Sequence, residues 1–375
     1  MIRSSIAFPV AALVFASAAS MGSPAFADGI RDAQWHLRVL KVAEAQKISS
    51  GQGVTVAVID TGVAPHPDLS SNLLDGADLT SGGESGHDDS NGHGTAMAGL
   101  IAAHGRNGNG ALGVAPEAKI LPIKVMLNKG KALDIGSAID YAVRNGAQVI
   151  NMSLGGSSTG DMIAAINRAV AADVVLVAAA GNRPEDSGVV APAILPQVLA
   201  VGATDRSGNL SEVSVRGPQL DIVAPGEDIE TIRRGGGYSS GRTGTSDSAA
   251  IVSGAAALLR SKYPDMSAAD VVKRLEDTAV DKGSPGVDDE YGHGVLDIVA
   301  ALKGKPAGSG QGSSSAAAPG SGSASERPGG VAVDESEGSS SGGAGLLVGG
   351  VVLVVLLGGV GLFWGLRRRG RAGAG

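Results

Sequence analysis

The chain of 375 residues contains no cysteine. That excludes a disulfide framework, a thiol nucleophile and a thiolate metal site together. It has no basic excess either, since the formal net charge is −7. Arg3 and the arginines at 367, 368, 369 and 371 are 5 of the 30 Lys and Arg, which leaves 25 against 37 acidic residues, a balance of −12 for everything between them. That sign argues against a nucleic-acid partner. No internal repeat is present, so a solenoid or propeller is not indicated. Without disulfides, stability has to come from a large buried core, and the length suffices for one large domain with accessory segments or for two ordinary domains.

The two ends are distinctive. Residues 1–27 carry Arg3, an apolar run over 6–18 and Ala25-Phe26-Ala27 just before Asp28. This pattern reads as a secretory signal peptide, too short in its apolar run to span a bilayer. Residues 344–366 are uncharged and, from 346 on, apolar or glycine, with Phe363 and Trp364 near the end and the arginine cluster directly after. They are expected to form a transmembrane helix that leaves the basic tail, residues 367–375, in the cytoplasm and everything earlier outside. Residues 304–343 are almost entirely Gly, Ser, Ala and Pro and cannot bury enough apolar surface to fold, so they read as a flexible linker. The expected location is therefore the cell membrane, single-pass, with the folded part extracytoplasmic.

Between the ends, short apolar runs alternate with helical stretches. Runs at 54–59, 120–125, 149–154, 174–179, 198–201 and 222–224 are apolar throughout rather than alternating, which suits a parallel sheet covered on both faces. Helical patterns fall at 134–145, 161–171, 248–262 and 267–278. The expectation is an α/β fold, a doubly wound, mainly parallel sheet with helices on both faces. Ligands of such sheets bind beyond the carboxyl ends of the strands.

Three local sequences carry chemistry. The first run ends in Asp60-Thr61-Gly62, which places a carboxylate at the sheet edge; alone, Asp60 reads as a turn residue. Asn91-Gly92-His93-Gly94-Thr95 sets a histidine between glycines at the start of a small-residue helix, a setting shared by none of the histidines at 36, 66, 87, 104 and 293. Gly244-Thr245-Ser246-Asp247-Ser248 is a glycine turn running into an Ala-rich helix, where Ser246 alone reads as an N-cap. A hydroxyl at that junction is exposed and its own N–H points toward a ligand.

Taken together, Val-Ala-Val-Ile-Asp60-Thr-Gly, Gly-His93-Gly-Thr-x-x-Ala-Gly and Gly-Thr-Ser246 resemble the three active-site motifs of the subtilase family, in the same order. Supporting matches run from about residue 51 to 302, including Asn151-Met152-Ser153-Leu154-Gly155, Ala179-Ala180-Gly181-Asn182 and Tyr291-Gly292-His293-Gly294. The resemblance implies a serine endopeptidase with Asp60, His93 and Ser246 as catalytic triad, Asn182 as oxyanion donor, and Ser153, Leu154 and Gly155 as the edge that pairs with substrate. Residues 51–303 would be the peptidase domain and residues 28–50 an N-terminal extension packed against it. The tether, membrane span and short extension are similar to the mycosins, membrane-anchored proteases associated with type VII secretion. That resemblance implies polypeptide substrates from secreted proteins and a membrane secretion complex as partner. Two alternatives stay open: a stabiliser of that complex in which proteolysis is secondary, and a general extracytoplasmic housekeeping protease.

The sequence departs from the family after the nucleophile, where Asp247, Ser248, Ala249 and Ala250 replace the usual apolar residue, Ala and later Pro. Ser248 is a rival nucleophile on paper, although the Gly-Thr-Ser register selects Ser246. Asp68 and Asn107 fall where many subtilases place calcium ligands, but two side chains do not make a site. No metal or cofactor is expected.

Overall fold

Residues 27–304 are described in the computed structural model, except 82, 84, 107, 108 and 128–133. Apart from Ala27 and Gly304, the expected signal peptide, linker, membrane span and tail lie outside the described residues. Among the described residues no helix is long and apolar enough to cross a membrane.

Three short helices lead in, α1 (Ala27–Ala33), α2 (Trp35–Val39) and α3 (Val42–Ala45). Then come β1 (Thr55–Asp60), the two-residue β2 (Ala77–Asp78), α4 (His93–Ala102) and a small hairpin of β3 (His104–Arg106) and β4 (Asn109–Leu112). The alternation continues through β5 (Lys119–Lys124), α5 (Ile135–Arg144), β6 (Val149–Met152), α6 (Gly160–Ala171), β7 (Val175–Ala179), β8 (Leu199–Thr204) and β9 (Ile222–Pro225). A second hairpin, β10 (Ile229–Arg233) and β11 (Gly237–Arg242), runs into α7 (Thr245–Lys262), which is followed by α8 (Ala268–Asp277) and α9 (Ile298–Lys303).

The non-alternating runs form a seven-stranded sheet in the order β2-β5-β1-β6-β7-β8-β9, with every pairing parallel. Successive residues of a strand face opposite sides, and that period of two divides the core. Val56 and Val58 of β1 pack with α4 and α7, whereas Ala57 and Ile59 pack with α5 and α6. After β5 the chain steps over β1 and adds strands on the other side, so the strand order reverses around β1. That reversal opens a crevice at the carboxyl ends of the strands, where Asp60 terminates β1.

The described residues contain no phenylalanine. Close approach of small side chains takes the place of bulk. α7 runs through the middle of the domain with Ala249 to Leu259 buried apart from no position, and a Cβ on its Gly254 would lie 2.7 Å from Val114 Cβ. α4 is seated the same way: a Cβ on Gly94 would stand 2.1 Å from Gly62 O. Substitution there would push apart the segments that carry Asp60 and His93.

The segment 27–50 lies along the domain on the β4–β10 side. Gln34 receives Leu112 N–H at 2.8 Å and donates to Leu112 O at 2.9 Å. Trp35 Nε1 donates to Asp228 O at 3.0 Å, and Ser49 Oγ to Leu258 O at 2.8 Å. Each such bond contributes about 1 kcal/mol net. His36 is fully buried, and neither ring nitrogen has a hydrogen-bond partner. Burial, with a smaller contribution from the nearby Arg38 charge, lowers its pKa to about 3, so the ring is neutral.

Candidate active site

A groove of about 1350 Å³ opens at the carboxyl rim of the sheet. Asp60, at the end of β1, is fully buried. Its carboxylate accepts the Thr61 N–H at 2.7 Å and His93 Nδ1 at 2.8 and 2.9 Å. With Nδ1–H committed to Asp60, Nε2 is left as the acceptor, a tautomer assigned from the hydrogen-bond network.

His93 is the first residue of α4, and Asp89 fixes that helix start. One Asp89 oxygen accepts Gly92 N–H at 2.7 Å and Thr61 O–H at 2.8 Å; the other accepts Thr95 N–H at 2.9 Å and Thr95 O–H at 2.6 Å. Thr61 Oγ1 in turn accepts Gly94 N–H at 3.1 Å. The turn after β1 and the first turn of α4 are thereby locked together around the Asp60–His93 pair. An acid at the N-terminus of a helix also suits the helix dipole.

The His93 side chain is 25% exposed. Burial penalises the imidazolium most strongly, yet the Asp60 charge and hydrogen bond more than offset it, so the pKa ends above the ordinary value. Two charges further along the groove act in opposite senses, Arg242 lowering the pKa and Asp247 raising it.

Ser246 is the second residue of α7, where N–H groups lack helical partners. Its Oγ donates to Ser153 O at 3.3 Å and no hydrogen bond joins it to the imidazole. Long or misaligned contacts of this kind are usual in unliganded sites. Ser153 Oγ donates back to Ser246 O at 2.8 Å, pinning the helix start to the end of β6. Asn182 lines the groove, and its Oδ1 accepts Thr245 N–H at 2.9 Å, which fixes the side-chain amide at the start of α7. The Ser153 and Leu154 side chains are buried and Gly155 is exposed, so this edge offers the groove chiefly its backbone.

The groove thus brings together every residue that the motifs single out except the wholly buried Asp60, which reaches it through His93. Sequence reasoning missed Asp89, Thr61 and Thr245, which hold those residues in place. The only signal was Asp88-Asp89 shortly before Gly92-His93. Asp247 is buried and held by Arg242 Nε at 2.8 Å. Ser248 is no rival nucleophile: it is fully buried and its hydroxyl donates to Ala224 O at 2.9 Å.

Asp68 is occupied by protein donors, accepting Ala111 N–H at 2.9 Å and Tyr238 O–H at 2.9 Å. Arg31 donates to Gly110 O at 3.2 Å in the adjoining loop. Asn107 lies outside the described residues, and among these no group of three or more His, Asp or Glu side chains is placed to hold a metal ion.

A parallel α/β sheet with an Asp-bound imidazole, a hydroxyl at a helix start and a side-chain amide at one rim defines a serine protease of the subtilisin type. The chain belongs to the subtilase family, whose sequence model (peptidase S8) matches residues 51–294. It is 41% identical over 251 residues to a thermostable alkaline protease of Halalkalibacterium halodurans, covering 66% of this chain and 66% of that protein. It is 39% identical over 269 residues to Subtilisin Savinase of Lederbergia lenta, covering 71% of this chain and 97% of that protein. Among solved structures, MycP1 from Mycobacterium smegmatis superposes with a TM-score of 0.65 at 33% identity, over 75% of this chain and 86% of that one. MycP3 protease from the type VII (ESX-3) secretion system gives 0.63 at 34% identity, over 75% and 90%. The chain is thus similar both to subtilisins and to the mycosins MycP1 and MycP3.

Proposed function

We propose that the chain is an exported, membrane-tethered endopeptidase that cuts extended segments of secreted proteins. His93 Nε2 takes the proton of Ser246 as Oγ attacks the scissile carbonyl, and Asp60 keeps the ring in that tautomer and stabilises its cation. His93 then gives the proton to the leaving amine, and water releases the acyl-enzyme by the same route. The developing oxyanion is received by Asn182 Nδ2–H and Ser246 N–H. Substrate backbone adds as a strand along residues 153–155.

The observation that carries this reading is the 2.8 Å bond from His93 Nδ1 to the buried Asp60, made beside Ser246 in one open groove. A fluorophosphonate probe is expected to label the protein and to fail on Ser246→Ala. Equal labelling of both proteins overturns the assignment.

The role in type VII secretion is supported by the likeness to MycP1 and MycP3. Membrane tethering and export are supported by the sequence of the two ends alone. Secretion by cells carrying Ser246→Ala separates the enzyme from a stabiliser of the complex: loss of secretion favours proteolysis, and secretion that persists with Ser246→Ala but fails in a deletion favours the stabiliser.

A further inference from the structure

A second cavity, of about 370 Å³, lies where α2 and the turn after it meet the ends of β8 and β9, and it shares no lining residue with the groove around Ser246. Its volume falls at the small end of the roughly 300–1000 Å³ typical of ligand sites. Val39, Leu40 and Lys41 of the leading segment form part of its wall. They precede residues 51–294, which the family model matches, so that model does not describe this cavity.

The lining is amphipathic. Val39 and Val280 are 51% and 47% exposed, two of the few large apolar side chains that the described residues leave in water, and both line this one opening. Leu40 and Leu296 of the same lining are buried. Exposed apolar side chains gathered within a polar rim mark a place where another surface binds.

Charge around the opening is unbalanced. Its two acids are turned to nearby backbone: Asp205 accepts Ser207 N–H and Asn209 N–H, each at 2.8 Å, and Asp297 accepts Ala300 N–H at 2.9 Å as the cap of α9. Among the cations, Lys282 donates to Gly208 O at 2.6 Å and to Asn209 Oδ1 at 3.1 Å. Lys41 and Arg206 are exposed, and neither side chain has an ion pair or a hydrogen bond among the described residues. Glu44 and Glu230, which lie outside the lining, temper these two charges only at a distance. The Arg206 guanidinium stands 5.7 Å from the centroid of the Trp35 ring, a cation–π contact that holds it at the rim. Two available cations beside exposed valines suit an occupant that is both apolar and anionic.

We infer that this cavity docks a short stretch of another polypeptide in which a large apolar side chain, such as leucine, is flanked by aspartate or glutamate. The apolar side chain covers Val39 and Val280, and its acidic neighbours meet Arg206 and Lys41. Because both valines are about half exposed, the occupant lies across the opening, as a passing chain does; a lone small anion would leave the valines wet. The site is separate from the peptidase groove and does not depend on the role given to Ser246.

The test uses the full-length protein with Ser246→Ala, so that no peptide is cut, and isothermal titration calorimetry with three heptapeptides. These are Gly-Ser-Asp-Leu-Glu-Ser-Gly, a version with Lys at both acidic positions and a version with Gly in place of Leu. The acidic peptide is expected to bind with a Kd below about 1 mM, and each alteration to weaken it at least about tenfold, the order set by covering one leucine side chain. Val280→Glu should weaken it by the same order, whereas Arg206→Gln combined with Lys41→Gln should weaken it and flatten its dependence on salt. Thermal unfolding of each variant reports whether the fold is kept, and Val39→Ser supplies the apolar arm should Val280→Glu not fold. No binding at about 1 mM, equal binding of the three peptides, or binding that none of these variants alters overturns the inference. So does a dimer seen by sedimentation that Val280→Glu dissolves, since a second copy of the chain then covers the opening. None of these results touches the peptidase reading, which fluorophosphonate labelling decides separately.

Discussion

Arg242 and Asp247, the residue after Ser246, form an ion pair 2.8 Å long, with the Asp247 carboxylate buried and the Arg242 side chain 21% exposed. The pair joins the end of β11 to the first turn of α7, so it positions the helix that carries Ser246 as well as the charge near His93.

Its two members should move the acid limb of the pH–rate profile in opposite directions. In the proposed mechanism His93 is a base only when neutral, so with its raised pKa kcat/KM should fall as pH drops through that value. Asp247→Asn removes a charge that raises the pKa, so the limb should shift to lower pH. Arg242→Gln removes a charge that lowers it, and the limb should shift to higher pH. Profiles from pH 4 to 10 check this, and shifts in the same direction would break the account.

Asn182→Ala should lower kcat by about 100- to 1000-fold with little change in KM, the range measured for the oxyanion asparagine of a subtilisin. Steady-state kinetics on a peptide ester reads it. A loss confined to KM would place Asn182 in ground-state binding instead.

Asp89 makes four hydrogen bonds that hold His93 over Asp60 without touching the groove's reacting atoms. Asp89→Ala strands buried donors at about 1–3 kcal/mol each. Thermal unfolding should shift down, and kcat should fall more than KM rises. Recovery of kcat in Asp89→Asn, which keeps part of the cap, would mark a positioning role.

His36 makes folding sensitive to acid. Its folded pKa of about 3 lies below the ordinary 6.5, so between those values the unfolded chain binds the extra proton. Stability is complete above about pH 6.5 and declines by up to about 1.4 kcal/mol per pH unit as pH falls toward 3. His36→Leu should flatten that decline in urea unfolding series at pH 7, 6 and 5. An unchanged slope would mean that the ring finds a partner on protonation.

Six of the seven strands were legible because they are apolar runs, and for those only the boundaries differ; the two-residue edge strand β2, Ala77–Asp78, carries no such run and was not expected. The run expected at 198–201 continues to Thr204, and the helix expected from 248 begins at Thr245. The hairpin of β10 and β11 was not legible, since Gly237-Tyr-Ser-Ser-Gly-Arg242 has no apolar period and it is long-range contact with α4 that holds Ile232 in the core. The same division holds in the groove. Asp60, His93, Ser246 and Asn182 sit in recognisable local sequences, whereas Asp89 and Arg242 matter through neighbours that only folding supplies.

The bonds of Trp35 and Ser49 reach partners 193 and 209 positions onward in the chain. Those early residues leave the ribosome long before Asp228 and Leu258 exist to receive them. A molecule cut short before α7 could still hold Gln34 on Leu112 and Trp35 on Asp228, but the Ser49 end of the leading segment would have no partner, so its beginning would be anchored only in part.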